Sequence, residues 1–282
     1  MRRNGRSQCL FGMIVLTLAT MLAVQAQTPT PSPTPSLEHE FFKNILHDQK
    51  AIWTAPFQLK RSDTKWVVPG SIGLMALFTT DRITGDEMFE ANRQVNLSRH
   101  ISNVGSIYGL GAVAGTFYLI GRKKGDYRAR ETGLLSAQAL IDSAIVEGVL
   151  KGVTQRARPL DGVERSEFFD GGSSFPSGHS TQAWAVATVI ANEYKHRPAV
   201  QIAAYGIASA VSVARFTGHK HYISDVLAGS AMGYAIGKFV FNAHHREPVE
   251  SDGAISKSAW PMIMPQYNRA ARQYGVALTW NF

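Results

Sequence analysis

One cysteine, Cys9, stands in the whole 282-residue chain, so no intramolecular disulfide can form and a cysteine-built metal site is excluded. Charged residues make up only 18%, below the roughly 25% of an average soluble chain. No Lys/Arg run is interleaved with aromatics in the way a nucleic-acid groove requires, so nucleic acid is not an expected partner. Strand-like alternation is missing between residues 66 and 245, which argues against a sheet-based core. Metal-ligand spacing is missing too. His244-His245 is an adjacent pair without carboxylates in a ligand pattern and reads as a solvated helix terminus.

What the chain does have is a hydrophobic content of 45%, enough for a large core. At the N-terminus, Arg2, Arg3 and Arg6 precede an uncharged apolar run from Cys9 to Val24 and a small-residue exit at Val24-Gln25-Ala26. This is the layout of a secretory signal peptide, residues 1–26, cut after Ala26. Removing it takes away three arginines, so the formal charge of +8 falls to a mildly basic value. Export without disulfides fits a bacterial periplasm or the periplasmic face of its membrane. Thr28 to Ser36 reads TPTPSPTPS, an extended stretch with nothing to bury, and residues 27–36 form a linker. Residues 37–65, with the apolar pairs Phe41-Phe42 and Ile45-Leu46, read as an N-terminal helical extension.

Residues 66–245 read as one helical domain with six segments: Trp66–Thr80, His100–Gly121, Glu131–Lys151, Gly178–Lys195, Ala199–Phe216 and His221–Asn242. They are rich in Ala, Gly and Ser, which lets helices approach closely, and several are apolar nearly all round. The tail, 246–282, carries Pro261 and Pro265 and then alternates Tyr274, Val276, Leu278, Trp280 and Phe282, the pattern of a strand or hairpin. The expected fold is all-α: a six-helix core bundle followed by a short β-like tail.

Ile101 to Gly121 is uncharged and matches the roughly 20 residues needed to cross a bilayer. Glu131–Lys151 and His221–Asn242 fit a span less well, because Asp142, Glu147 and Asp225 lie inside them. If the mature N-terminus is outside and all six helices cross, Arg122-Lys123-Lys124, Arg128 and Arg130 also fall outside, against the positive-inside rule. A globular exported bundle removes this conflict and is the expectation; a five-span arrangement also removes it.

Three clusters stand at helix ends. Lys151 and, seven residues on, Arg158-Pro159 can close together on an anion, the arginine offering a planar fork for phosphate oxygens. Gly171-Gly172-Ser173-Ser174-Phe175-Pro176-Ser177-Gly178-His179 leads into an apolar helix, and such a start exposes N–H groups to an anion. In the third cluster, Arg215, His221 and Asp225, the last two are i and i+4, so on a helix they share a face and the carboxylate can fix the imidazole tautomer. The neighbouring His219 lacks that spacing and reads as pocket edge or bystander. Taken singly, a basic helix end or a serine N-cap has an ordinary structural explanation.

Together, Lys151-x6-Arg158-Pro159, Pro176-Ser177-Gly178-His179 and Arg215-x5-His221-x3-Asp225 resemble the three-part signature of the type 2 phosphatidic acid phosphatase superfamily. That superfamily includes bacterial acid phosphatases, lipid phosphate phosphatases and vanadium haloperoxidases, and the match runs from about Trp66 to Asn242. The resemblance implies a helical phosphatase in which His221 attacks phosphorus, Asp225 orients the ring and His179 protonates the leaving alcohol. Lys151, Arg158 and Arg215, with the N–H groups near Ser177 and Gly178, would hold the phosphate. It also implies neither metal nor other cofactor, vanadate entering only if the chain were a haloperoxidase. One departure is Ala214, where the family usually has Ser before the arginine, so a hydroxyl beside the pocket is absent. A phosphate monoester and a lipid phosphate or diphosphate both remain open as substrates. The alternatives are a haloperoxidase and a non-catalytic envelope protein that binds anions or partners.

Overall fold

The computed structural model of the protein describes residues 37–86, 98, 100–159, 167–246, 262–268 and 273–279. The expected signal peptide and linker lie outside the described residues. By its internal contacts the chain divides into Met1–Glu40 and Phe41–Phe282; the described part of the first is the opening turn of α1. The elements are α1 (Leu37–Thr54) with a 3-10 turn (Ala55–Gln58), α2 (Thr64–Asp86), α3 (Ile107–Lys124), α4 (Tyr127–Thr154), α5 (Gly178–Glu193), α6 (Pro198–Thr217) and α7 (Ile223–His244). A hairpin of β1 (Met262–Asn268) and β2 (Gln273–Thr279) follows, antiparallel, pairing Met262 with Thr279 and Asn268 with Gln273.

α2 to α7 are the expected core helices, and α5 packs against α4, α6 and α7. Leu110, Leu140, Ala183, Val186, Ala208 and Val211 fill one part of the core. Leu135, Val146, Val189, Ile236 and Val240 fill another. What brings α7 so close to α5 is a row of glycines at i, i+4 and i+8. A Cβ on Gly229, Gly233 or Gly237 would lie 2.7, 2.1 or 2.3 Å from the carbonyl oxygens of Ser177, Thr181 and Ala185. No side chain fits there, so the two backbones touch, in the way small residues allow. This contact fixes the N-terminal end of α7 beside that of α5.

The run from Ile101 to Gly121 is not one helix. Residues 101–104 are helical and stop at Gly105, where an added Cβ would fall 2.3 Å from Val211 Cγ1. Ser106 then caps α3, its hydroxyl accepting the Gly109 N–H at 3.1 Å. A serine that satisfies an orphan helix N–H starts a new helix rather than continuing the old one. α3 ends on Arg122, Lys123 and Lys124, with Gly125 in the left-handed region at φ 68°, as is common after a helix C-terminus.

Two other helices, α4 and α6, are long and apolar enough by length and composition to cross a membrane. The acidic residues that argued against α4 have partners within the protein. Asp142 is fully buried and accepts Gln49 Nε2 at 2.9 Å, and Glu147 pairs with Lys151 at 2.5 Å. Nor is His244-His245 a solvated terminus. His244 Nε2 lies 2.8 Å from Asp48 Oδ1, and His245 Nδ1 lies 3.2 Å from Glu193 Oε1. The carboxylates come from α1 and α5, too far away in sequence for spacing to announce them.

Candidate active site

The loop after α4 and the loop before α5 are stitched together by their backbones. Phe169 N–H donates to Thr154 O at 2.9 Å, Asp170 and Gly172 N–H to Gln155 O at 3.0 Å, and Ser174 N–H to Arg156 O at 2.8 Å. Satisfying these main-chain groups locally makes a rigid surface out of irregular chain. It presents Arg158, whose Nη2 is 3.2 Å from Ser173 Oγ. The same surface presents the carbonyl of Ser174 to the loop that carries His221.

His221 is buried, with 2% of its surface exposed, and its Nδ1 lies 2.7 Å from Ser174 O. A carbonyl can only accept, so Nδ1 carries the proton and donates, leaving Nε2 with its lone pair. This is the tautomer a nucleophile needs. The expected route to it was different, a direct bond from Asp225 along a shared helix face. Instead α7 begins at Ile223, so His221 precedes the helix, and Asp225 Oδ2 stands 3.7 Å from Nδ1. Asp225 is turned toward the helix start, where Oδ2 accepts Tyr222 N–H at 3.0 Å. Helix-capping geometry therefore claims the carboxylate, which still acts on His221 as a nearby negative charge.

Asp225 is held by groups that spacing did not reveal. Ser174 Oγ donates to Oδ2 at 2.5 Å and Arg156 Nη1 to Oδ1 at 2.5 Å. Arg156, fully buried, also donates to Ser224 Oγ at 2.7 Å and to Asp81 Oδ2 of α2 at 2.8 Å. Its guanidinium lies 5.0, 4.9 and 4.5 Å from the ring centres of Phe78, Phe168 and Tyr222. The hydroxyl of Ser224 closes the network on Asp81. A buried guanidinium is tolerable because two carboxylates, a hydroxyl and three aromatic faces surround it. The cue for Arg156 in the sequence was its position two residues before Arg158; for Asp81, lying in no motif, there was none.

Arg215, Lys151 and Arg158 act on His179 through their charges, and His221 does so whenever its ring is protonated, which brings the three clusters to one place. Burial and those neighbours push His179 down to about 4, and burial likewise pushes His221 down to about 4. Both rings are therefore neutral near pH 7. Arg215 offers a buried Nε with no hydrogen-bond partner among the described residues, a donor free for an incoming anion. Ser177 differs from the expectation. Its N–H donates to Asp225 O at 3.1 Å and its hydroxyl accepts from Ser180, so it ties α5 to α7. Glu147 reaches the same corner: it pairs with Lys151, accepts Gln182 Nε2 at 2.9 Å, and its Oε1 lies where a Cβ on Gly178 would go. Ala214 is buried, and its carbonyl accepts the Gly218 N–H. His219 is buried with φ 55°, and its Nε2 is unpaired among the described residues.

Residues 132–248 match the model of the PAP2 superfamily. The chain is similar to lipid A 1-phosphatase of Porphyromonas gingivalis, 40% identical over 67 residues, 23% of this chain and 15% of that protein. It is also similar to phosphatidylglycerophosphatase B of Bacillus subtilis, 35% identical over 117 residues, 38% of this chain and 55% of that protein. The chain thus spans less than two thirds of either relative. Among solved structures, a transmembrane PAP2-type phosphatidylglycerolphosphate phosphatase from Bacillus subtilis is similar with a TM-score of 0.44 and 22% identity, covering 72% of this chain and 94% of that one. All residues of the three clusters, from Lys151 to Asp225, fall within the stretch that matches the PAP2 superfamily model.

Proposed function

We propose that the protein is a membrane-associated phosphatase of lipid phosphates that works through a phosphohistidine on His221 and needs no metal. The observation that carries the lipid reading is exposed apolar surface on the two helices of bilayer length. Ile145, Val149 and Val153 form an exposed apolar stripe on α4 at i, i+4 and i+8, Val153 with 61% of its surface exposed. α6 exposes Ile202, Ile207 and Val213. Apolar surface on two helices of bilayer length fits contact with acyl chains better than water, and α4 is the helix that carries Lys151 in its last turn.

In the proposed reaction Nε2 of His221 attacks phosphorus, and the P–O bond to the alcohol breaks as the P–N bond forms. The equatorial oxygens lie among Lys151, Arg158, Arg215 and the amides of Gly178 and His179, fixed positive groups that stabilise charge developing in the transition state. The phosphorylated ring is cationic. Its Nδ1–H remains on the Ser174 carbonyl, and Asp225, held by Arg156 and Ser174, offsets the charge. His179 gives a proton to the departing alkoxide, then takes one from the water that attacks phosphorus, and inorganic phosphate leaves as the P–N bond breaks.

His179 is neutral in the empty site, so the proton has to arrive with the substrate. A phosphate dianion among the three cations offsets most of their positive charge and, lying against the imidazole, raises the affinity of His179 for a proton. The test is hydrolysis of phosphatidic acid and of a soluble aryl phosphate by the purified chain in detergent, alongside His221→Ala. Turnover of the lipid, abolished in the variant, is the expected result; turnover of the aryl ester alone, or of neither, overturns the lipid reading.

A further inference from the structure

Each of α4, α5 and α7 places one residue of a second cluster at the end opposite the phosphate site. Glu131 lies near the start of α4, Glu193 closes α5, and His245 follows α7 directly. At about 1.5 Å per residue, Glu193 is about 20 Å along α5 from His179. One carboxylate oxygen from each glutamate and one imidazole nitrogen lie within 4.8 Å of one another. The glutamates are 1% and 6% exposed, while His245 is half-buried.

His245 Nδ1 is 3.2 Å from Glu193 Oε1 and 3.5 Å from Glu131 Oε1. Ligands at about 2.0–2.1 Å from a tetrahedral zinc ion stand about 3.3–3.4 Å from each other, so these separations are close to two edges of such a tetrahedron. Two of the three side chains are also held in advance. The His245 ring stacks on Phe241, centroids 4.5 Å apart and planes at 16°, and Glu131 Oε1 accepts the Arg246 N–H at 2.7 Å. Arg246 and Arg128 add positive charge nearby, but two buried carboxylates turned onto one imidazole nitrogen are a donor set for a divalent ion. An open pocket of about 550 Å³ lies alongside, lined by Tyr127, Arg128, Tyr194 and Arg197, Tyr127 being one helical turn from Glu131 and Tyr194 adjoining Glu193.

We infer that Glu131, Glu193 and His245 bind one divalent cation of the zinc type, with water completing the shell, and that this ion clamps the ends of α4, α5 and α7. The site is separate from the chemistry at His221 and contributes to stability, not to turnover.

The experiment takes the untagged full-length protein in detergent, strips it with a chelator, and dialyses it against Zn²⁺ and, separately, Co²⁺. Metal content, the visible absorption of Co²⁺ and the unfolding temperature are then read for the wild type, Glu193→Gln, His245→Gln and, as a control, His244→Gln. The expected result is one equivalent bound by the wild type and His244→Gln, with a higher unfolding temperature. Affinity should be at least about ten-fold weaker in Glu193→Gln and His245→Gln, since loss of even an outer-shell partner of a bound metal weakens affinity by about that much. Undiminished lipid-phosphate turnover in every variant shows that each is folded. No retained equivalent in the wild type, or wild-type affinity in both ligand variants, overturns the proposal.

Discussion

The protonation state of His221 follows from a single contact. Because Nδ1 faces the Ser174 carbonyl at 2.7 Å, Nε2 is the free nitrogen, and His221→Ala should reduce turnover by at least about a thousand-fold while leaving the unfolding transition in place. Removing His179 should slow esters with poor leaving alcohols far more than activated aryl esters, and an equal loss on both would rule out its acid role. The pH argument has a definite sign. With His179 held at about 4 before the anion binds, it is unprotonated at about pH 8, where free inorganic phosphate is already mostly the dianion, and binding of phosphate there should take up as much as one proton. Calorimetry in buffers of different ionisation enthalpy measures that uptake, and it should vanish in His179→Gln. Arg156→Lys keeps the charge but not the planar fork that spans Asp225 and Asp81. It should lower kcat more than it raises KM, since Asp225 and not the substrate loses its anchor.

How much of this was legible in sequence depended on whether a residue works through local spacing. Lys151, Arg158, His179, Arg215 and His221 stand in short motifs and could be read directly. The role of Asp225 was read by the i, i+4 rule and came out differently, because α7 starts two residues after His221 and the carboxylate caps it. Arg156 and Asp81, 75 residues apart, meet only through the packing of α2, which no periodicity records. The helix order was legible from long apolar segments. The break at Gly105 was not, since it depends on Val211 more than a hundred residues away. Two substitutions test how the elements hold the site. Gly233→Ala sets a methyl 2.1 Å from Thr181 O and should cost about 1–3 kcal/mol of stability as α7 is pushed from α5. Asp81→Asn leaves Arg156 short of a buried partner and should cost about 3–5 kcal/mol, read from the unfolding transition in detergent.

Among the described helices, α4 and α6 finish and α5 and α7 begin at the proposed phosphate site, and α4 and α6 carry exposed apolar residues along their length. Exposed stripes on α4 and α6 predict that the protein partitions with membranes and needs detergent to remain monodisperse, which fractionation of expressing cells measures directly. A chelator should lower the unfolding temperature through Glu131, Glu193 and His245 yet leave lipid-phosphate turnover unchanged, separating the two ends of the bundle in one titration. The most direct test of the central claim is rapid quench during turnover of phosphatidic acid labelled in its phosphorus. The account predicts label bound to the protein, stable in base and lost in acid, mapping to His221 and absent from His221→Ala. Steady hydrolysis with no protein-bound label at any quench time, or label that persists in the variant, would contradict it.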